Sequence, residues 1–326
     1  MINFIIRRIL ILIPTLIVTT IIIHGIMMLT PGDPLTRFES PDNPLPPEER
    51  QRLIERWGLD QPWHIQYLKW AGNFFLRFDL GESLSYKKPV WELIKGRIWP
   101  TVQLSGLALL LALVIAIPIG TISALKQYSI IDHSVTAFAF FGISMPNFWF
   151  GLVLIYIFAV WLNILPAGNM MDVPPKCSPD QFFCVLGDRL EHLVLPVIVL
   201  ATASIAAFTR YMRSQVLETM RQDYVDTARA KGVKEYLVIT RHVLKNAIMP
   251  LVTLLGLSLP VLVSGALITE QVFGWPGLGW FFWQAAGAHD YTMLMGILTL
   301  TAIVTLLGNF LADIAYAFVD PRIRYD

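Results

Sequence analysis

The stretch DYVDTARAKG, Asp223–Gly232, carries four charged side chains, Asp223, Asp226, Arg229 and Lys231, between two runs with no formal charge, His192–Thr209 and Asn246–Thr269. With histidine counted as neutral, four further runs lack charge: Ile9–Gly32, Ile98–Leu125, Ser134–Met171 and Tyr291–Ala312. A helix needs about 20 apolar residues to cross the hydrocarbon of a bilayer, and most of these runs reach that length. His192–Thr209 is the shortest, so its span borrows from Glu191 or Arg210 at an interface. Ser134–Met171 reads as one helix, about Val135–Trp161, followed by a Pro/Gly-rich outer segment. The charged decapeptide therefore belongs to the connection between the fourth and fifth spans of an all-α polytopic membrane protein with six transmembrane helices. Composition agrees: the 326 residues are 55% hydrophobic and 15% charged, and the mean hydropathy is +0.57, more apolar than one soluble core can hide.

Arg7 and Arg8 precede the first run, as in a signal peptide, but ILIPTLIVTTIIIHGIMMLTPGD is long and has no small-x-small cleavage pattern, which predicts an uncleaved first helix. With the N-terminus in the cytoplasm, Arg7, Arg8, Lys126, the basic residues from Arg210 to Lys245, Arg322 and Arg324 lie inside. These are thirteen of the 25 Lys and Arg residues. The remaining cations fall mostly in one long outer loop, which escapes the positive-inside bias. Both termini are then cytoplasmic, and residues 1–326 form a single transmembrane domain. The outer loop, 31–99, is long enough for a small subdomain. Its prolines at 44, 46 and 47 precede Leu53, Ile54, Trp57 and Leu59, which give a short amphipathic helix an apolar face. Its mixed charges do not suggest nucleic-acid binding.

A connection between adjoining helices commonly needs only about 2 to 8 residues, whereas the cytoplasmic segment here runs over 211–249. Asp223 is a candidate helix cap, Asp226 falls at the third helical position, and Gly232 is a candidate left-handed terminator. Val216, Met220, Tyr224 and Ala228 recur every four residues and predict one apolar stripe, with Arg221, Arg229 and Lys231 on the polar face. Leu237, Thr240, Leu244 and Ala247 predict a second amphipathic piece, and Pro250 marks the start of the next span. The arrangement favours a platform for a soluble protein over a passive link.

Cys177 and Cys184 lie in CSPDQFFC, in the outer loop between the third and fourth spans, where oxidation would close a small ring. No metal ligands are evident beside them in the sequence. The chain has no GxxxxGK[ST] phosphate loop, and His133, His242 and His289 fall on different loops, so no Ser-His-Asp site is expected. The reading is of a chain that is not an enzyme, without cofactor or metal of its own.

Between the fifth and sixth spans, 271–290 form an outer turn or re-entrant segment. FGWPGLGWFFW, Phe273–Trp283, has three glycines and a proline that break a helix, and aromatics suited to a membrane boundary. Glu270 sits just before it and is placed to hold the turn. Asp313 interrupts the last span near its cytoplasmic end, one turn after Asn309, and a carboxylate there needs a partner or water. An interhelical hydrogen bond or ion pair is the first expectation, a gate contact the next and a direct substrate role the last; in an ATP-independent carrier or channel Asp313 would sit on a proton path.

DTARAKG resembles the cytoplasmic EAA motif of permease subunits of bacterial ABC importers, with Asp226, Thr227 and Ala228 at the E-A-A positions and Gly232 at the glycine position. Thr227 departs from the small alanine, and Pro250 follows at a spacing like that of the peptide-importer branch. PGDP (Pro31–Pro34), RHVLKNAIMPLVT (Arg241–Thr253), ALITEQVFGWPGLG (Ala266–Gly279), HDY (His289–Tyr291) and DPRIR (Asp320–Arg324) are similar to segments of the dipeptide/oligopeptide, and nickel, importer permeases. This resemblance spans the chain from first helix to last. It implies a type I ABC importer permease fold in the bacterial cytoplasmic (inner) membrane and transport of dipeptides or oligopeptides. Nickel chelates or another small solute are the alternative cargo. It also implies a second homologous permease subunit, two cytoplasmic ATPases carrying ATP and magnesium, an extracytoplasmic binding protein and surrounding membrane lipid. Tyr224, Asp226, Thr227, Ala228, Arg229, Lys231 and Gly232 would face the ATPase, with Arg229 and Lys231 pairing with its acidic residues. Glu270, Trp275, Pro276, Gly277 and Gly279 would form the outer gate or contact the binding protein.

Overall fold

A computed structural model describes residues 2–29, 35, 46–178, 180–252, 254–255, 258 and 266–319. PGDP, DPRIR with its Arg322 and Arg324, and much of the run Asn246–Thr269 lie outside the described residues. The first helix, α1 (Ile2–Leu29), leads to the outer helices α2 (Pro47–Trp57) and α3 (Trp63–Arg77), then to α4 (Val90–Leu125). Next come α5 (Ile130–Ser144), α6 (Asn147–Leu154) with a π-helical end (Ile155–Trp161), and α7 (Phe182–Met220). On the far side lie α8 (Asp223–Ala230) and α9 (Glu235–Leu237), which runs through a π-helical segment (Val238–Leu244) into α10 (Lys245–Ala247). The described chain closes with α11 (Leu267–Val272), α12 (Leu278–Gly287) and α13 (Tyr291–Val319).

Among the described residues, four helical segments are long and apolar enough to cross a membrane: Ile6–Leu29, Val90–Leu125, Phe182–Met220 and Tyr291–Leu311. The run expected to form one helix over Val135–Trp161 is instead two helices bent by 102°, a further span only if the pair is counted together. The cause is local. Pro146 disfavours helical backbone at the residue before it, and Met145 is extended, at φ −86°, ψ 123°. Two boundaries also move. Residues 90–99 of the expected outer loop are helical and continuous with the span of α4, and residues 211–220 of the cytoplasmic segment belong to α7. The extension of α7 at both ends explains how the shortest uncharged run completes a crossing.

Helices α4 and α7 pack against each other; α4 enters a hydrophobic core at each end, and α7 shares the inner one. The outer core gathers Met27 of α1, Tyr67 and Phe74 of α3, Val90 and Ile94 of α4, Leu278 and Phe281 of α12 and Met293 of α13. Here α2 and α3 belong to a folded outer segment rather than a bare loop. Helix α2 starts at proline, carries Glu48 and Glu49 in its first turn and stops at a left-handed Gly58. The inner core joins Ala112, Ala116 and Ala124 of α4, Met212 and Val216 of α7, Val225 and Ala228 of α8, and Val238, Val243 and Ala247 beyond it. Elsewhere the surface is apolar, as membrane contact requires: Leu10, Ile22 and Ile26 of α1 and Leu110 and Val114 of α4 are all exposed.

At the inner corner, Ser129 caps α5 by accepting the Asp132 amide, and the Asp132 carboxylate is buried. It accepts Arg213 Nε at 2.6 Å and NH2 at 2.8 Å, Ser123 Oγ at 2.6 Å and the Tyr128 amide at 2.9 Å. This pair pins the α4–α5 turn to α7. Removing one partner strands a buried charge, so Arg213→Met should cost about 3 kcal/mol. Thermal unfolding in detergent should show a smaller loss for the Asp132→Asn/Arg213→Met double variant than the sum of the two single losses.

Candidate functional site

Helix α8 begins after Gln222, whose backbone is extended at φ −84°, ψ 140°; Asp223 is its first residue rather than its cap, and no side chain caps it. Asp226 therefore falls at the fourth helical position, still within the first turn, where a carboxylate suits the free amides. The other end is closed as expected. Gly232 takes φ +73°, its amide donates to Arg229 O at 2.9 Å, and the Val233 amide donates to Ala228 O at 3.2 Å. These two bonds make the Schellman arrangement, which needs a left-handed residue at this position. A Cβ at Gly232 would meet no atom within 4 Å, so the demand for glycine is purely one of backbone conformation.

The expected four-residue stripe is broken by the turn at Arg221 and Gln222. Val216 and Ala228 are buried, but Tyr224 is 42% exposed and Val225, absent from the stripe, is fully buried. The Tyr224 hydroxyl instead accepts Asn246 Nδ2 at 3.0 Å, tying α8 to α10. The second stripe is also shifted. The π-helical turn buries Val238 and Val243, five apart, in place of Leu237 and Thr240, while Ala247 stays buried. Thr227 donates its hydroxyl to Asp223 O at 2.8 Å, closing it against its own helix. Asp226, Thr227 and Lys231 are exposed. Arg229 is engaged within the chain: it reaches Glu235 at 2.9 Å and Asp226 at 3.4 Å.

The outer turn is built around one carboxylate. Glu270 has no exposure, accepts Thr101 Oγ1 at 2.9 Å and accepts the Trp280 amide at 3.0 Å. The Thr101 hydroxyl in turn accepts the Leu278 amide at 2.7 Å. Trp275 is fully buried and donates Nε1 to Pro100 O at 2.9 Å, so it is an internal anchor instead of a membrane-boundary aromatic. Gly277 and Gly279 are also buried, Pro276 is half-buried, and Arg97 NH1 donates to the Pro276 carbonyl at 3.3 Å. A Cβ at Gly277 would run into the Glu270 carboxylate and the Thr101 hydroxyl. The turn thus closes on α4 through contacts that Thr101, unmarked in the sequence, completes.

Asp313 of α13 forms an ion pair with Arg8 of α1, which gives the polar interruption in the last helix an interhelical partner. Asn309, half-buried, lies one turn away. Cys177 and Cys184 are joined in a disulfide with their Cα atoms 5.8 Å apart. Sequence reading also missed Asp290, a buried carboxylate that accepts Ser83 Oγ at 2.5 Å, the Ser85 amide at 2.9 Å and the Met293 amide at 3.1 Å, so that it caps α13 and holds the outer segment. Its one signal was the HDY placed just before an apolar run.

The class that this arrangement defines is an all-α polytopic membrane protein with an ABC-importer permease fold. The methionine ABC transporter MetNI, solved in an inward-facing conformation, matches with a TM-score of 0.52 at 17% identity over 71% of this chain and 97% of the solved one. The chain belongs to the family described as binding-protein-dependent transport system inner membrane component, which matches residues 116–325, and the N-terminal component of the same systems matches residues 1–105. It is 43% identical over 323 residues to the oligopeptide transport system permease protein AppB of Bacillus subtilis, covering 99% of each chain. Identity is 36% over 339 residues to the dipeptide transport system permease protein DppB of Escherichia coli K12, covering 100% of this chain and 99% of that one. A multi-pass location in the inner membrane follows from the family and the membrane-length helices.

Two tests bear on these geometries. Gly277→Ala should destabilise the outer turn by about 2 kcal/mol through overpacking, read as faster amide exchange in residues 266–280 with α8 unaffected. Arg229 holds the Glu235 carboxyl below its ordinary value, chiefly by hydrogen bonding. A depressed carboxyl contributes stability that is present at neutral pH and is lost as pH falls through the lowered folded value. For so exposed a pair the contribution is below about 1 kcal/mol. Glu235→Gln should therefore speed exchange in α8 at neutral pH and match the parent protein in acid.

Proposed function

We propose that this chain is the transmembrane subunit of an ATP-driven importer of dipeptides or oligopeptides and forms half of the translocation pathway beside a second homologous permease. Its relatives in peptide systems extend over its whole length, which supports the cargo class. The observation that carries the reading is α8: a short, conformationally capped helix whose apolar face enters the inner core and whose exposed face holds Asp226, Thr227 and Lys231. The chain carries no nucleotide-binding motif, so ATP and magnesium belong to two cytoplasmic ATPase subunits. An extracytoplasmic binding protein delivers the peptide.

In this reading the six spans include one through Asn246–Thr269, and both termini are cytoplasmic. The Arg8–Asp313 pair supports this by putting the starting end of α1 and the finishing end of α13 at one face. Residues 1–326 act as one permease domain. The segment 211–249 couples to the ATPase, 31–99 cover the outer face, and 271–290 form the outer gate. Force applied at α8 enters through Val225 and Ala228, which share a core with Met212 and Val216 of α7 and Ala116 of α4. The long helix α7 then carries the displacement towards the outer turn, where Leu193 packs with Trp275. Closing of the ATPases on ATP would draw paired α8 helices together and open the outer side; hydrolysis would reset it. Glu270, Trp275, Pro276, Gly277 and Gly279 fix the shape of the gate from within. Tyr224 and Arg229 fix the pose of α8 through Asn246 and Glu235, leaving shape and Lys231 to meet the ATPase.

Purification of the subunit from its native membrane should recover a second permease, two ATPases and a peptide-loaded binding protein. An active homo-oligomer taking up solute on an ion gradient without ATPases would overturn the importer reading. In reconstituted vesicles, Gly232→Val should uncouple ATP hydrolysis from uptake, since a β-branched residue at left-handed φ is strained by about 1 to 2 kcal/mol. Gly232→Asn, which tolerates that conformation, should retain most of the coupling.

A further inference from the structure

Beside the disulfide, the fold brings together three side chains from two separate segments. Asp172 sits on the irregular segment after the π-helical end of α6, and Asp188 and His192 stand one turn apart near the start of α7. One nitrogen or oxygen from each lies within 4.8 Å of the others, and both Asp188 and His192 are buried. How each group spends its second polar atom is informative. His192 Nδ1 lies 2.8 Å from the Asp188 carbonyl. A carbonyl can only accept, so Nδ1 carries the hydrogen and Nε2 keeps its lone pair when the ring is neutral. Asp188 Oδ2 accepts the Asp172 amide at 3.2 Å, and Asp172 Oδ2 is held by the Lys176 ammonium.

Each group is oriented through one atom, and His192 Nε2 and Asp172 Oδ1 face each other across the cluster. Asp188 Oδ1 is buried, in a side chain only 6% exposed, and lies 3.2 Å from His192 Nδ1 without meeting hydrogen-bond geometry. His192 Nε2 faces Asp172 Oδ1 at 3.7 Å, too long for a hydrogen bond between them. That separation is close to the ~3.4 Å that two ligands adopt around a tetrahedral divalent ion at about 2.1 Å from each. Metal-binding histidines usually donate their other ring hydrogen to a carbonyl or carboxylate, and ligating carboxylates are themselves held by donors, which is the pattern here.

We propose that Asp172, Asp188 and His192 form a structural site for a divalent transition ion, of which Zn²⁺ best suits one imidazole and two carboxylates. The fourth position would be left to water. The ion would add a second clasp to the segment already tied by Cys177–Cys184. That segment reaches the outer turn directly, through the Asn169 amide donating to Phe273 O at 2.7 Å. A bound ion would therefore stiffen the base of the turn, whatever the cargo.

The test uses the full chain in detergent, purified without a polyhistidine tag, stripped with EDTA and titrated with Zn²⁺. About one ion per chain should bind, with an X-ray absorption edge showing nitrogen and oxygen neighbours only. His192→Gln and Asp172→Asn should each weaken binding by at least about tenfold. Asp172 lies on the irregular segment outside both cores, so that variant tests the site even if changes on α7 impair folding. Lys176→Met should tighten binding by roughly threefold, because the ammonium no longer neutralises Asp172. A purely ionic network of protonated His192 with the two carboxylates predicts the opposite: no retained zinc, and lower thermal stability for Lys176→Met. Either that result, full binding by Asp172→Asn, or sulfur neighbours at the edge would overturn the site.

Discussion

The packing of α4 against α7 is the constraint on which the rest of the molecule depends. At 1.5 Å per residue these helices are about 54 and 58 Å long, against a hydrocarbon thickness of about 30 Å. Each therefore emerges from the membrane at one or both ends, and the emergent turns need something to bury against. The outer end of α4 meets α3, α12 and the first turn of α13, Leu193 of α7 packs with Trp275, and the inner ends meet α8 and the π-helical segment. Helix α4 thus joins two separate cores, and α7 packs beside it into the inner one.

Polar side chains mark the places where other elements are fastened to that pair. Asp132 and Arg213 hold the α4–α5 corner to α7, Glu270 and Thr101 hold the outer turn to α4, and Asp290 and Ser83 hold the outer segment to α13. Each is a carboxylate buried or nearly so, and each is supplied with several donors. In a low-dielectric interior an unpaired carboxylate is costly, so these clusters are intolerant of alternative geometries. Apolar packing sets how strongly the elements associate; the carboxylates set in which single register they do so.

The short helix α8 is held in a different way. Its eight residues, Asp223–Ala230, are too few to be stable alone. It is fixed by its glycine-terminated end, by the burial of Val225 and Ala228, and by short links from Tyr224 to Asn246 and from Arg229 to Glu235. Asp226, Thr227 and Lys231 stay exposed on the opposite face, in the pose in which the inner core holds the helix.

Much of this was determined by the sequence alone. Uncharged runs of spanning length establish helices in lipid, because no other open structure satisfies its backbone there. Gly232 announces the end of α8, because few other residues adopt its φ. The bend between α5 and α6 was not read, because the length of the apolar run argued for one helix and the proline at 146 was its one local signal. Tertiary structure alone decided which residue serves which carboxylate. Thr101 and Glu270, Ser83 and Asp290, and Asp132 and Arg213 are distant in the chain, and their pairing depends on helix packing rather than on local periodicity. The same holds for Val225 and Val238: a turn and a wide π-helical coil shift the buried face, and a stripe drawn at a constant helical period cannot foresee either.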